Sequence, residues 1–440
     1  MNQKNRIGII VVAVVIFGLL FSFLIPGIRE RILWRVDRLW IKVLYAINPP
    51  EEDIFIPNQE AAEFTTPEGG VASLPTPTAL FGNLTATVSE NQSDTVEATP
   101  QATSIPDSYY ASGFKYVDQH GAWNYCAPAN LAMALTFWGW EGDRLDVGHS
   151  VKPNDNDMNV MPYELESYVN NETPYQAIAR VGGDIDLLKQ LVAADFPVVV
   201  EKGTVIRETS TGQDTWMGHY SYVTGYDDAT QMFMTQDSFY TPDYEVPYSL
   251  LEDEWQGFNY VFLVVYPPEK SAQLMTILGE LENEARSYQI ALENASSEVY
   301  SKNGIQTFFA WYNRGSSLSR LQDYGGAAEA FDKAFQTLAA MPEGEAPKKV
   351  MRIVWYETTP YFAYYYTGRY NDVINLATQV MDMATNVPYL EESFYWRALA
   401  RFAVGQDEEA AKDLCTSLEY HPGFAPSEAA MNSFGVYTCP

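Results

Sequence analysis

The 440-residue sequence predicts an α+β domain joined to an all-α domain of paired helices, both behind one apolar span long enough to cross a membrane. Three observations carry this reading. Residues 107–270 mix β-branched and aromatic runs with helical stretches. Residues 271–440 turn helical and repeat a spaced set of small and aromatic residues. Residues 7–25 contain no charged side chain and follow Lys4 and Arg6.

The size exceeds one ordinary core, and hydrophobic residues at 47% with aromatics at 14% suffice for packed domains. The formal charge is −30 and no basic stripe occurs beyond the first 42 residues, so a nucleic-acid backbone would be repelled. Nucleic acid is excluded as a partner on that ground.

After a short segment, 1–6, the run 7–25 matches a bilayer core of about 30 Å. Phe21 to Pro26 offers no small-x-small cleavage site, so the run reads as an uncleaved signal anchor. Residues 26–48 read as an amphipathic juxtamembrane helix with Ile32, Leu33, Val36, Leu39, Trp40, Val43 and Leu44 apolar, its basic residues against lipid headgroups; a helical continuation of the anchor is the alternative. Arg29, Arg31, Arg35, Arg38 and Lys42 would favour a cytoplasmic C-terminal side. The acidic remainder, the Thr/Pro tract and a disulfide expected between Cys415 and Cys439 favour an extracytoplasmic one, which is the expectation taken. Residues 67–106 are rich in Thr, Ser, Pro, Gly and Ala with few large apolar side chains, and 49–106 read as a disordered Thr/Pro-rich tether with a reach of roughly 40 Å.

Residues 107–270 predict one α+β domain. A helix after Cys126 ends at Gly139, and helical patterns run over 162–169 and 185–194. Strands are expected at 197–201, 219–226, 232–236 and 259–266. A hairpin turn centred near Asp228 puts His219 and Asp237 nine residues either side of it, and so opposite each other on one sheet face. Residues 271–440 carry the tetratricopeptide spacing at Trp311, Gly315, Tyr324, Ala327, Phe331 and Ala334. A weaker unit follows at Gly368, Tyr370 and Ala377, and a third at Gly405, Ala410, Leu414 and Pro422, with offsets that differ from the usual one of about 34 residues. A generic helical bundle is the plainer reading.

Cys126 opens an apolar helical run, with Pro128 in its first turn, where free N–H groups and the helix dipole favour a thiolate. His219 starts a strand after Gly218, and Asp237 follows at hairpin distance. The order is nucleophile, base, orienter. Gln119, seven residues before Cys126, can aim its amide N–H at a developing oxyanion beside the Cys126 N–H. Each also has a bland reading: a small core thiol, an edge-strand histidine, a turn cap and a surface glutamine.

The run Gln119…Asn124-Tyr125-Cys126-Ala127-Pro128-Ala129 with Leu131-Ala132-Met133, then Gly218-His219-Tyr220, Gly225-Tyr226-Asp227-Asp228 and Gln236-Asp237, resembles the peptidase C-thirty-nine-like family of the papain-like clan. That family includes the double-glycine leader peptidases. The resemblance implies a papain-like α+β cysteine peptidase domain over about 109–268, with Cys126 as nucleophile, His219 as base, Asp237 as orienter and Gln119 as oxyanion donor. Ala127 stands where the family usually has glycine. The leader peptidases' transporter domains have no counterpart in this sequence, so their substrate specificity is not carried over. The resulting expectation is a membrane-anchored extracytoplasmic cysteine peptidase acting on a peptide or protein, with a protein partner on the helical repeats. The alternatives are a non-catalytic peptide-binding scaffold and a cell-wall peptide amidase.

No cofactor and no metal are expected. Asp155, Asp157, Asn159 and Glu166 occupy calcium-loop positions, but Val160 replaces the required glycine. Cys415, His421 and Cys439 lack zinc spacing.

Overall fold

The computed structural model describes residues 26–47, 54–58, 105–122, 124–208, 212–384 and 387–439. The anchor expected over 7–25 lies outside them, and among the described residues no helix is long and apolar enough to cross a membrane.

Helix α1 spans Pro26–Ile47. The sheet domain begins with β1 (Ser108–Tyr110), followed by α2 (Cys126–Phe137), α3 (Arg144–Val151) and α4 (Pro162–Glu172). Then come β2 (Gln176–Arg180), α5 (Ile185–Ala193), β3 (Val198–Arg207), β4 (Asp214–Asp227), β5 (Met232–Gln236) and β6 (Tyr244–Pro247). Helix α6 (Tyr248–Gln256), β7 (Phe262–Tyr266) and α7 (Ser271–Leu278) complete it. The strands form one antiparallel sheet in the order β2-β7-β3-β4-β5-β6, with β1 also on β4.

Alternation of side chains decides what each face packs against. Val198, Val200, Phe262 and Val264 turn to one side and meet Leu188 and Leu191 of α5 and Trp255 of α6. Val199, Leu263 and Val265 turn to the other and meet Leu131, Met133 and Leu135 of α2. Helix α2 is apolar around most of its circumference because the sheet covers one side and α3 and α4 the rest.

Some expected elements differ. β3 and β4 extend into a long hairpin past the expected ends at 201 and 219, because its tip, with Trp216 stacked on Phe258 at 5.8 Å and on Phe309 at 5.9 Å, is buried against the helical region. The last strand starts at Phe262 instead of Asn259, since Asn259 and Tyr260 adopt left-handed φ values of 54° and 55°. The boundary expected at 270/271 moves past Leu278: Leu274 and Leu278 of α7 lie in the core beneath the sheet.

The helical region follows as α8 (Glu284–Ser301), α9 (Ile305–Arg320), α10 (Tyr324–Ala339), α11 (Thr359–Tyr366), α12 (Tyr370–Asp382), α13 (Glu391–Ala403), α14 (Asp407–Tyr420) and α15 (Ala425–Phe434). Short links pair α9 with α10, α11 with α12 and α13 with α14. The pairing explains the repeated spacing: Gly315 of α9 sits where a Cβ would come 2.8 Å from the Phe331 ring of α10. Cys415 and Cys439 are disulfide-bonded, with Cα atoms 5.7 Å apart.

The two regions share a continuous core through Val181, Trp216, Phe258 and Val261 on one side and Phe308, Phe309 and Trp355 on the other. Buried polar bonds fix their register. Asn313 donates to the Gln256 carbonyl at 2.7 Å, Asn159 to the Trp355 carbonyl at 2.6 Å, and Arg352 pairs with Glu208 at 2.7 Å.

Residues 54–58 correct part of the expected tether. They run extended over the helical region, where Phe55 is 3% exposed between Phe335 and Tyr364, and the Asn58 N–H donates to Asp372 at 2.9 Å. Phe55, with Ile54 packed beside it, finds an apolar groove, and its burial fixes this stretch of chain.

Candidate active site

Helix α2 starts at Cys126 itself, with Asn124 in a left-handed turn before it at φ 49° and Tyr125 at the cap. The thiol is half-buried and is the chain's free cysteine. Beside it, β4 presents His219, 2% exposed, and the loop after β5 presents Asp237, fully buried. His219 Nε2 lies 2.9 and 3.0 Å from the two Asp237 carboxylate oxygens, and the imidazole is near enough to the Cys126 thiol for each to shift the other's pKa. The carboxylate thus occupies one ring nitrogen and leaves the other for sulfur.

The register between β4 and β5 differs from the expected symmetric hairpin. Tyr222 pairs with Gln236, and a bulge intervenes between Val223 and Gly225. This puts Ser221 opposite Asp237 and makes His219 its diagonal neighbour, still on the same face. Ser221 Oγ accordingly donates to Asp237 Oδ2 at 3.0 Å, while the Phe239 and Tyr240 N–H groups donate to Oδ1 at 2.9 and 3.1 Å.

These contacts set the charges. Burial pushes the Asp237 carboxyl up, but the imidazolium and the donors around it outweigh burial and hold it well below the usual carboxylate range. Burial disfavours the charged imidazole, yet Asp237 and the thiol raise His219 to about 9. For Cys126 burial also opposes charge, and the His219 hydrogen bond and charge, the Tyr220 main-chain N–H and the more distant Lys152 together lower its pKa. Both shifts favour a thiolate paired with an imidazolium.

Gln119 lines the same cavity. Its N–H donates to the Ser238 carbonyl at 3.0 Å, and its Oε1 accepts from Ser238 Oγ at 2.7 Å, so its amide NH₂ is directed away from Ser238. Of the four residues read from the sequence, Gln119, Cys126 and His219 line this cavity, and Asp237 is buried against the imidazole of His219.

Sequence reasoning missed the supports. Asn130 Nδ2 reaches the Cys126 carbonyl and the Tyr220 carbonyl at 2.8 Å each and Ser238 Oγ at 3.0 Å, tying helix, strand and loop together. Its signal was present: it is the one polar residue among the apolar positions 127–135, one helical turn after Cys126. Tyr116 donates to the Asp237 carbonyl at 2.9 Å. Glu201 also lines the cavity, and burial raises its pKa well above the ordinary value.

The cavity has a volume of about 400 Å³, and the sheet domain does not enclose it alone. Arg352, Trp355, Tyr356 and Tyr389 of the helical region form one wall, and Ile41 of α1 forms another.

The calcium-loop residues do not assemble. Among the described residues only Asp157 of that set joins a three-ligand group, with Glu391 and His421, whose candidate atoms lie within 4.8 Å of one another. His421 Nδ1 already lies 2.8 Å from Glu391, and the Lys152 ammonium, bonded to the Asp157 carbonyl at 2.9 Å, stands beside the group.

Residues 111–262 match the Peptidase_C39 like family. Among solved structures, one described as a C39-like peptidase from Bacillus anthracis is 18% identical, covers 36% of this chain and 98% of its own, and has a TM-score of 0.30. No curated protein matches the chain.

Proposed function

We propose that the chain is a membrane-anchored, extracytoplasmic cysteine peptidase, with Cys126 as nucleophile, His219 as acid and base, Asp237 as orienter and Gln119 as oxyanion donor. The observation that carries this reading is Cys126 and His219 lining a cavity large enough for a peptide segment, with Asp237 buried against the imidazole. The match of residues 111–262 to a peptidase family supports it independently.

In this reaction the Cys126 thiolate adds to the carbonyl carbon of a peptide bond. The resulting oxyanion accepts from the Cys126 main-chain N–H at the start of α2 and from the Gln119 amide. Collapse of the intermediate breaks the C–N bond, and His219 gives its proton to the leaving amine. A water then attacks the thioester, His219 takes its proton, and cleavage of the C–S bond releases the acid product and restores the thiolate beside the imidazolium. The helical region, which already forms a cavity wall, is the proposed seat of a protein partner, and its helix pairs are read as tetratricopeptide-like units. The anchor is assigned to residues 7–25, ahead of α1.

The test is alkylation of Cys126 by iodoacetamide as a function of pH, in the wild type and in His219→Ala. The expected result is a reacting thiolate well below the free-thiol pKa of about 8.5, lost in the variant. Slow alkylation indifferent to His219 would sink the catalytic assignment.

A further inference from the structure

Helix α1 has two working faces. Ile41 lines the cavity that holds Cys126. Four residues on, the Tyr45 hydroxyl donates to Gln213 Oε1 at 2.8 Å at the tip of the β3–β4 hairpin, and the Lys349 ammonium of the helical region lies 5.1 Å from the Tyr45 ring centre. Ile41 and Tyr45 thus seat the helix against the body beside the cavity.

The other face is apolar and bare. Val36, Leu39, Trp40, Val43 and Ile47 are 45–75% exposed, and their spacing of three and four places them in one stripe. At about 3.6 residues per turn, Ile41 and Tyr45 fall on the side of the helix away from that stripe. The exposed Arg35 and Lys42 flank it. Residues 1–47 carry seven Lys or Arg against Glu30 and Asp37, in a chain whose formal charge is −30. The uncharged run 7–25 ends immediately before α1 begins. A basic-flanked apolar stripe emerging from such a run fits the lipid–water interface, where it sinks about 5–10 Å.

From this geometry we infer that α1 lies on the bilayer by its Val36–Ile47 stripe and holds the catalytic cavity against the membrane surface. The substrate class is then a membrane-attached polypeptide cut close to its own anchor. The inference rests on the membrane-anchored peptidase reading. A helix is about 10–12 Å across with its side chains, so a peptide lying against Ile41 is within about one helix diameter of the lipid. A polypeptide held in the same bilayer presents its juxtamembrane residues at that height. One diffusing in solution must enter past the membrane surface, and the acidic body gives it no attraction there unless it is basic.

The test uses the full-length protein in vesicles of phosphatidylcholine and phosphatidylglycerol, where Cys126 is the free thiol because Cys415 and Cys439 are bonded. The probes are iodoacetamide attached to a phosphatidylethanolamine headgroup by a short or a long polyethylene glycol linker, and soluble iodoacetamide. The comparison chain carries Val36→Asp, Leu39→Asp and Val43→Asp together. The expected result is that the short-linker lipid reagent alkylates wild-type Cys126 at least as fast as the long one, and about tenfold faster than it alkylates the triple variant, the soluble rate being equal in both. Wild-type labelling that needs the long linker overturns the inference without recourse to the variant. So do equal lipid-reagent rates in the two chains, or chemical cross-linking that joins two copies through the stripe. Failure of the peptidase reading shows separately, as a soluble alkylation rate indifferent to His219→Ala, and leaves the linker comparison intact.

Discussion

A thiol at neutral pH is mostly protonated, and Cys126 departs from that default through one imidazolium and one main-chain donor. In the proposed reaction, activity requires the thiolate, present above the lowered Cys126 pKa, and the imidazolium, present below the His219 value of about 9. The pH profile of turnover is therefore a bell with its alkaline limb near 9. In Asp237→Asn the chief group raising His219 is gone, so the alkaline limb moves to lower pH, the Cys126 pKa rises with loss of the imidazolium, and the window narrows from both sides. Turnover at pH 7 falls about 100-fold, measured with any cleavable peptide. The grouping of these residues was legible because the chemistry shows locally: a thiol at a helix start, a histidine after a glycine, an aspartate across a hairpin. Asn130, Ser221 and Tyr116 were not, since each acts through a tertiary contact with a residue distant in the chain.

The hairpin of β4 and β5 sets the distance between His219 and Asp237, and its register depends on the bulge at Gly225. A Cβ there would come within 2.6 Å of the Tyr110 ring and 2.8 Å of the Tyr109 carbonyl oxygen, so β1 would have to move. Gly225→Ala is expected to cost about 1–3 kcal/mol, measured by urea unfolding, and to slow Cys126 alkylation as Ser221 and Asp237 lose alignment. The sequence placed both strands but assumed a symmetric turn. A one-residue bulge leaves no compositional trace beyond a glycine, and only the β1 backbone pressed against that glycine explains it. The N-terminal helix was legible as amphipathic, but periodicity shows that a face exists without showing what covers the opposite side. That Ile41 closes the catalytic cavity comes from the fold alone.

Between the sheet domain and the helical region lie several carboxyl groups with raised pKa values. Burial lifts Glu164 well above its ordinary value, and burial reinforced by Glu391 takes Glu392 to about 8. For an acid raised on folding, the stabilisation is fullest below its unfolded value of about 4.5 and is lost as pH climbs through the folded one. The His219 contribution runs the same way, full below about 6.5 and lost through about 9. Melting temperature is therefore expected to fall from pH 5 to pH 8.5. Glu392→Gln, followed by calorimetry at both pH values, should flatten that fall, and an unchanged slope would remove Glu392 from the cause. The division of the molecule into two regions was legible from composition, but their fusion was not, because Trp216 and Phe309 read as ordinary core residues of separate units. The docking of Phe55 and the return of the chain at Ser108 have a consequence for how the enzyme is held. Asn58 and Ser108 are both seated on the folded body, so the two ends of the chain between them are held by it. If residues 7–25 anchor the chain as proposed, a protease nick between those ends would leave the body attached, gripped by α1 and Phe55 with no covalent bond. Shedding into solution would be governed by the grip of a few side chains and not by the cut.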